Sequence, residues 1–393
     1  MERNEVYSDL LTTVREIGPR LRAQAGTAEA ERRLAAPAFG AMRDAGLFLL
    51  CRPRAYGGLE AEPETAFRVV EEVARFDSAA AWNLQISLGG DLFLAWLPQA
   101  GTAEILRNAQ ATIAGAFNPP GEAIAEPGGY RIRGRWQFLS GVHQATYCVV
   151  SAIVMDHGTP VLTANGTPMQ LFVWVPQHAG TILDHWQTLG MRGTGSHDFA
   201  VHDLFVPTHH TAPLAPLHRH EPPYAGPLYR LTIWPVIALL APPALGTARA
   251  AIDDLLELAR AKTPSYTGIP LGQRQVVQRQ LAEAEATLGA GRAYLYDTFR
   301  AAWAAVVAGA EIDMAQKLRM QLAITQAIQA AARVVDLVHA AAGTAAIRNE
   351  YRFQEYFRNV HTMTQHAFGA ASRYESVGAV MLGGESDWPF FAF

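Results

Sequence analysis

The chain has 393 residues, half of them hydrophobic and 17% charged, with a formal net charge of -4 at pH 7. That much apolar material builds a large core and excludes a disordered chain, and the length suits two to four domains at about 100–200 residues each. The small charge, with no basic run or stripe, excludes the electrostatic footprint of a nucleic-acid binder.

Residues 1 to about 110 read as helical. Ala30 to Ala45 has helical spacing, with Pro37 near a start and Gly46 as a stop. Pro63 opens a helix whose apolar positions Phe67, Val70, Val73 and Phe76 follow the 3/4 rhythm. Asp77-Ser78 caps a strongly apolar helix from Ala79 to about Trp96. From about 111 to 227 the rhythm shortens to period two. Tyr130 to Trp136, Cys148 to Met155, Gln170 to Val175 and Phe199 to Val206 read as strands separated by turn residues, which suggests a small barrel or sandwich. From 228 to 393 long Ala/Leu-rich helices return: Leu245–Ala261, Gln273–Ala308, Met314–Ala341 and Glu350 to about Tyr374. Four such helices pack most economically as a bundle. The expected fold is therefore α+β multidomain, with an N-terminal helical domain (1–110), a central β-barrel or sandwich (111–227) and a C-terminal four-helix bundle (228–393).

Two cysteines, Cys51 and Cys148, exclude a disulfide framework and a Cys-rich zinc site. Met1-Glu2-Arg3-Asn4-Glu5 lacks the apolar run of a signal peptide. Ile233 to Gly246, the longest apolar stretch, is too short to span a bilayer and holds Pro235, Pro242 and Pro243. A soluble, cytoplasmic protein is expected.

Three segments carry chemistry. The first is Ala114-Gly115-Ala116-Phe117-Asn118-Pro119-Pro120-Gly121. The second is Gly134-Arg135-Trp136-Gln137-Phe138-Leu139-Ser140-Gly141. The third is Trp186-Gln187-Thr188-Leu189-Gly190-Met191-Arg192-Gly193-Thr194-Gly195-Ser196, followed by a strand ending in Val206-Pro207. Short Gly-rich chain with Thr and Ser offers backbone N–H groups and hydroxyls to a polar cofactor edge. Phe138 and Ser140 lie two apart, so on a strand both would point to one face.

In this order, these segments and domains resemble the acyl-CoA dehydrogenase superfamily over nearly the whole chain. The nearest resemblance is to its two-component, reduced-flavin-dependent monooxygenase branch. That branch includes hydroxyphenylacetate hydroxylase, dibenzothiophene monooxygenase and the amino-sugar N-oxygenases. The resemblance implies a flavin against Phe117, Asn118, Trp136, Phe138, Ser140, Trp186 and Gly193-Thr194-Gly195-Ser196. Arg292 and Arg358 are its candidate phosphate partners. Many dehydrogenases place a catalytic Glu nine residues after an Arg of the last bundle helix, and others place it elsewhere on the bundle; counted from Arg358, the first position holds Ala367, which has no base. The oxygenase branch places a His where His366 stands, suited to deprotonating or orienting a substrate. Several members also carry a flavin-facing His in the N-terminal domain. Ala81 to Asp91 has none, and Asn83, Gln85 and Asp91 stand there instead.

The implied activity is flavin-dependent monooxygenation. FMNH2 or FADH2 comes from a separate NAD(P)H:flavin reductase, since no nicotinamide fingerprint is present. With O2 it forms a C4a-hydroperoxyflavin that hydroxylates a small aromatic, phenolic or biosynthetic substrate. Ser140 and Ser196 would restrain N5–H, and His366 would position or deprotonate the acceptor. An acyl-CoA dehydrogenase and an N-oxygenase of amines or amino sugars are the alternatives. The family's usual assembly is a homotetramer. The aromatic tail Trp388-Pro389-Phe390-Phe391-Ala392-Phe393 is expected either to dock on a neighbour or to cover the pocket.

Overall fold

The computed structural model describes residues 2–216, 221–266 and 268–393. The N-terminal part holds α1 (Glu2–Glu31), α2 (Ala36–Asp44), α3 (Pro63–Phe76), α4 (Ser78–Phe93) and α5 (Gln99–Ile105). Proline fixes the first turns of α2 and α3, where a missing N–H costs nothing. The Asp77 side chain caps α4, accepting from the N–H groups of Ala79 (2.8 Å) and Ala80 (3.3 Å).

The central part is one mixed sheet of β1 (Ile113–Glu126), β2 (Gly129–Trp136), β3 (Tyr147–Asp156), β4 (Thr159–Pro160), β5 (Gln170–Pro176), β6 (Thr181–Leu183), β7 (Asp198–Pro207) and β8 (Thr211–Pro213). The order is β6-β7-β2-β1-β3-β5-β8, with β4 beside β3. β1 and β3 run parallel; the other pairs are antiparallel. Its interior cluster includes Ile132, Trp136, Cys148, Val150 and Phe199, while Val149, Phe172 and Trp174 pack into the helical core. The β1–β3 register slips between Ala116 and Gly121, so Phe117 to Pro120 bulge out of the ladder.

The C-terminal part holds α6 (Pro227–Arg230), α7 (Trp234–Ala238), α8 (Ala241–Ala261), α9 (Gln275–Val307), α10 (Met314–Ala342), α11 (Phe353–Met363) and α12 (Arg373–Met381). The first three long helices stand where the sequence puts them. The fourth, expected as one rod from Glu350 to about Tyr374, is broken after Met363. At the break two threonine hydroxyls bond the carbonyls behind them, Thr362 Oγ1 to Arg358 (2.8 Å) and Thr364 Oγ1 to His361 (2.7 Å), which weakens the last turn of α11. Gly369 then presses on α10, where a Cβ would meet Ile328 Cδ1 at 2.3 Å.

Two helical stretches, Trp234–Ala261 and Met314–Ile347, are long and apolar enough to cross a bilayer. The first outruns the Ile233–Gly246 estimate because its prolines sit at helix starts and do not stop the chain. Their apolar windows are 89% and 61% buried inside the protein, which is how core helices behave.

One buried ion pair ties α4 to its surroundings. Arg52 bonds both oxygens of Asp91 (3.2 Å each) and the carbonyls of Ala109 (2.7 Å) and Ala111 (2.6 Å). Asp91 is thereby committed to the scaffold and is unavailable to a flavin. Asp91→Ala would strand a buried guanidinium, so a loss of about 3–5 kcal/mol is expected, read from the urea unfolding midpoint.

Candidate active site

Three hydroxyls from two of the motif segments meet in one buried cluster. Ser140 Oγ lies 2.6 Å from Ser196 Oγ, and Ser196 Oγ lies 2.6 Å from Thr194 Oγ1. The ends of this cluster fix its polarity. Thr194 Oγ1–H donates to the Met191 carbonyl at 2.8 Å, so Thr194 accepts from Ser196. Ser196 then has no second proton, so Ser140 donates to it. Ser140 in turn accepts from the Trp82 indole N–H at 3.1 Å. Every hydroxyl proton is committed along the chain, and Ser140 Oγ keeps one free lone pair. The site offers an incoming ligand an acceptor there, not a donor.

The chain hangs from the Met191 carbonyl. That oxygen also accepts from the Trp186 indole N–H (2.9 Å) and the Thr194 N–H (3.1 Å). The Met191 N–H donates to Asn359 Oδ1 on α11 at 2.6 Å. The glycines allow this docking. A Cβ at Gly190 would stand 2.1 Å from the Arg358 carbonyl, and one at Gly193 would meet Ala28 of α1 (3.0 Å) and Ala79 of α4 (3.1 Å). The loop is thus clamped where all three parts of the fold converge.

His366 lies in the break after α11, 5.7 Å edge-on from the Trp82 ring and 5.5 Å from Phe368. Its Nδ1 accepts the Phe368 N–H at 3.3 Å, which leaves the neutral ring's proton on Nε2. Burial pushes its pKa down to about 4, so the ring is neutral near pH 7. Gln321 of α10 fastens this turn, donating to the Phe368 carbonyl (2.9 Å) and accepting from the Trp388 indole (3.1 Å).

From His366 a file of aromatic rings crosses the molecule. Phe368, Phe390, Phe393, Trp96, Phe93 and Phe117 follow with centroids 4.7 to 6.5 Å apart. The C-terminal tail supplies the middle of this file. It docks within its own chain, with Phe391 stacked on Trp234 at 6.1 Å.

Some expected residues have other places. β2 ends at Trp136, so Phe138 and Ser140 do not share a strand face. Phe138 has φ 63° and is 64% exposed, standing edge-on to Trp186 at 6.1 Å, while Ser140 is buried. Trp136 lies wholly inside the sheet with its indole N–H on the Ser151 carbonyl at 2.8 Å, a packing role that replaces the expected flavin contact. Asn118 is exposed in the bulge, and its carbonyl accepts the Gln137 N–H at 3.2 Å. Arg292 is ion-paired with Glu71. Arg358 bonds Glu29 (2.6 Å), Gln354 (2.8 Å) and the Leu189 carbonyl (2.8 Å). Both arginines are committed to scaffold partners, which removes the reason for assigning them to a phosphate. His361 bonds Asp336 at 2.9 Å.

Asn83 and Trp82 gain weight instead. Asn83 is 5% exposed, and neither amide atom has a partner among the described residues. It lines a cavity of about 20 Å³ with Ser87, Thr112, Ser140, Gly141 and Gln144, enough for one water molecule. Asn83 is one of the three polar residues that stand where several members of the resembled family carry a flavin-facing His; Trp82 sits in the same apolar helix with no local signal to mark it.

These features fit a flat heterocycle with an N–H donor: an exposed aromatic ring, a directed acceptor and an unpaired buried amide. The comparisons agree. Residues 6–109 match the acyl-CoA dehydrogenase N-terminal domain and 238–370 its C-terminal domain. An indole-3-acetate monooxygenase of Pseudomonas putida is 30% identical over 374 residues, covering 93% of this chain and 92% of its own. The chain is a flavin-dependent monooxygenase of the acyl-CoA dehydrogenase family. The HsaA oxygenase subunit of Rhodococcus jostii is 26% identical, over 89% of this chain and 91% of that one. XiaF from Streptomyces sp., solved with FADH2 and glycerol, superposes with a TM-score of 0.91 at 25% identity, over 99% and 98% of the two chains.

In this monooxygenase the clamp at Gly190 sets the hydroxyl chain. Gly190→Ala is expected to push the loop off α11, costing about 1–3 kcal/mol and weakening reduced-flavin binding. Thermal melts and flavin titration check both effects.

Proposed function

We propose that this chain is the oxygenase half of a two-component system. It takes reduced flavin from a separate NAD(P)H-dependent reductase and hydroxylates a small aromatic substrate. His366, set between the Trp82 and Phe368 rings, carries the substrate half of this reading, since aromatic surface beside one hydrogen-bonding group suits a flat apolar ligand. The name of the indole-3-acetate monooxygenase supports the aromatic substrate, and that of the HsaA oxygenase subunit supports the two-component system.

Bound reduced flavin supplies the two electrons with which O2 gives one oxygen atom to the substrate and the other to water. The protein's residues hold protons in place. Ser140 Oγ, already accepting from Trp82 and donating to Ser196, accepts the flavin N5–H and keeps that proton from leaving. Phe138 and Trp186 offer apolar surface to the ring system. His366, neutral with its proton on Nε2, orients a substrate oxygen or nitrogen by donating to it; of the two roles expected for it, positioning fits this tautomer. The unfolded imidazole titrates near 6.5 and the folded one near 4. The stability gained by holding it neutral is whole above pH 6.5 and is lost as pH falls through 4.

A dehydrogenase needs a carboxylate to take the acyl α-proton, and Ala367 offers none. The test is to supply the protein with a flavin reductase, NADH and 18O2, then screen indoles, phenols and arylacetic acids beside acyl-CoAs. Expected is a hydroxylated aromatic carrying 18O, with His366→Ala lowering product per NADH consumed at least about tenfold. Enoyl-CoA formation without 18O incorporation would overturn the reading.

A further inference from the structure

Away from the hydroxyl chain, three side chains converge between α5 and the turn that joins β7 to β8. His209 Nε2 lies 3.2 Å and His210 Nε2 lies 3.7 Å from the same oxygen, Glu104 Oε2. One ligand atom from each of the three residues lies within 4.8 Å of the others. Ligands at about 2.0–2.2 Å from a tetrahedral zinc stand about 3.3–3.6 Å apart. The two Nε2–Oε2 separations, 3.2 and 3.7 Å, are close to that spacing.

A second observation points to a ligand. His210 is buried, and its Nε2 has no hydrogen-bond partner among the described residues. A buried, unpartnered imidazole nitrogen is costly unless something binds it. The site is built from the backbone outward. The α5 helix has Gly101 where a Cβ would meet the His209 carbonyl at 1.9 Å, so helix and turn touch directly. The turn itself is held by Thr208, whose N–H donates to the Gly128 carbonyl at 3.0 Å and whose carbonyl accepts Thr211 Oγ1 at 2.9 Å. The Tyr147 ring stands edge-on to His210 at 5.8 Å and limits its rotation.

We propose that Glu104, His209 and His210 form a divalent-cation site of the zinc class, with two imidazoles, one carboxylate and an open position for water. A bound ion would staple the N-terminal helical part to the sheet, independently of the flavin chemistry. Mixed N/O ligands at these separations suit zinc, or cobalt as its spectroscopic substitute, better than calcium or magnesium, which take oxygen.

The test uses the full chain after chelator treatment and dialysis. Zn2+ is titrated by calorimetry, and Co2+ is followed by visible absorption. Expected are one Zn2+ per chain, tetrahedral-type Co2+ bands, and a raised melting temperature with Zn2+. His210→Ala and Glu104→Gln should each weaken Zn2+ binding at least about tenfold, and far-ultraviolet circular dichroism checks that each variant is folded. Absence of saturable Zn2+ binding, or binding that folded His210→Ala retains unchanged, overturns the proposal and leaves an ion pair between His209 and Glu104.

Discussion

The Met191 carbonyl holds three donors at once, the Trp186 indole, the Thr194 hydroxyl and the Thr194 amide, while the Met191 amide is held by Asn359 on α11. Remove that oxygen's fixed position and the direction of the hydroxyl chain is lost with it. The position depends on backbone contact at Gly190 and Gly193, where α1, α4 and α11 leave no room for a side chain. The Gly190–Ser196 loop therefore joins the helical parts to the sheet and sets the direction of the hydroxyl chain in one structure.

From this follows a distinction between two redox states of one cofactor. Reduced flavin carries a proton on N5, and oxidised flavin does not. The chain from Trp82 to Met191 leaves Ser140 able to accept but not to donate. Placed against N5 as proposed, it would satisfy the reduced ring and would set the oxidised ring's N5 against another acceptor. An enzyme that must take up reduced flavin from solution gains selectivity in this way without any charged contact. Across Trp82 from the hydroxyl chain stands the neutral His366, and the chain's own tail packs its rings against Phe368 beside it.

The three-part fold was legible in sequence because its helices are long and periodic and its strands short and bounded by turn residues. The Gly190–Ser196 run was legible as well, since Gly, Thr and Ser at that density have few bland uses. What escaped depends on partners distant in the chain. Phe138 and Ser140 read as strand neighbours, but pairing of β2 with β7 ends at Trp136 and Phe199, and the chain then turns through the left-handed Phe138. Arg292 and Arg358 read as candidate phosphate partners because their own partners, Glu71 and Glu29, lie hundreds of residues earlier. The single fourth helix breaks at two hydroxyl-to-carbonyl bonds that periodicity ignores, and that break carries His366. Trp82, whose indole donates to Ser140 at the open end of the chain, lies in the sequence within an apolar helix that does not set it apart.

The account turns on Ser140 being an acceptor. The direct measurement is the ratio of dissociation constants for oxidised and reduced flavin, taken anaerobically on the intact protein and on Ser140→Ala and Trp82→Phe. A buried hydrogen bond made in one state and replaced by opposed acceptors in the other amounts to about 1–3 kcal/mol, or roughly ten- to a hundredfold. Reduced flavin should bind tighter by at least about that lower factor. The preference should shrink in Ser140→Ala, which lacks the acceptor, and should persist in Trp82→Phe, where Ser140 still donates to Ser196 and keeps its lone pairs free. Equal affinity for the two redox states in the wild-type protein, or a preference that survives Ser140→Ala unchanged, would contradict it.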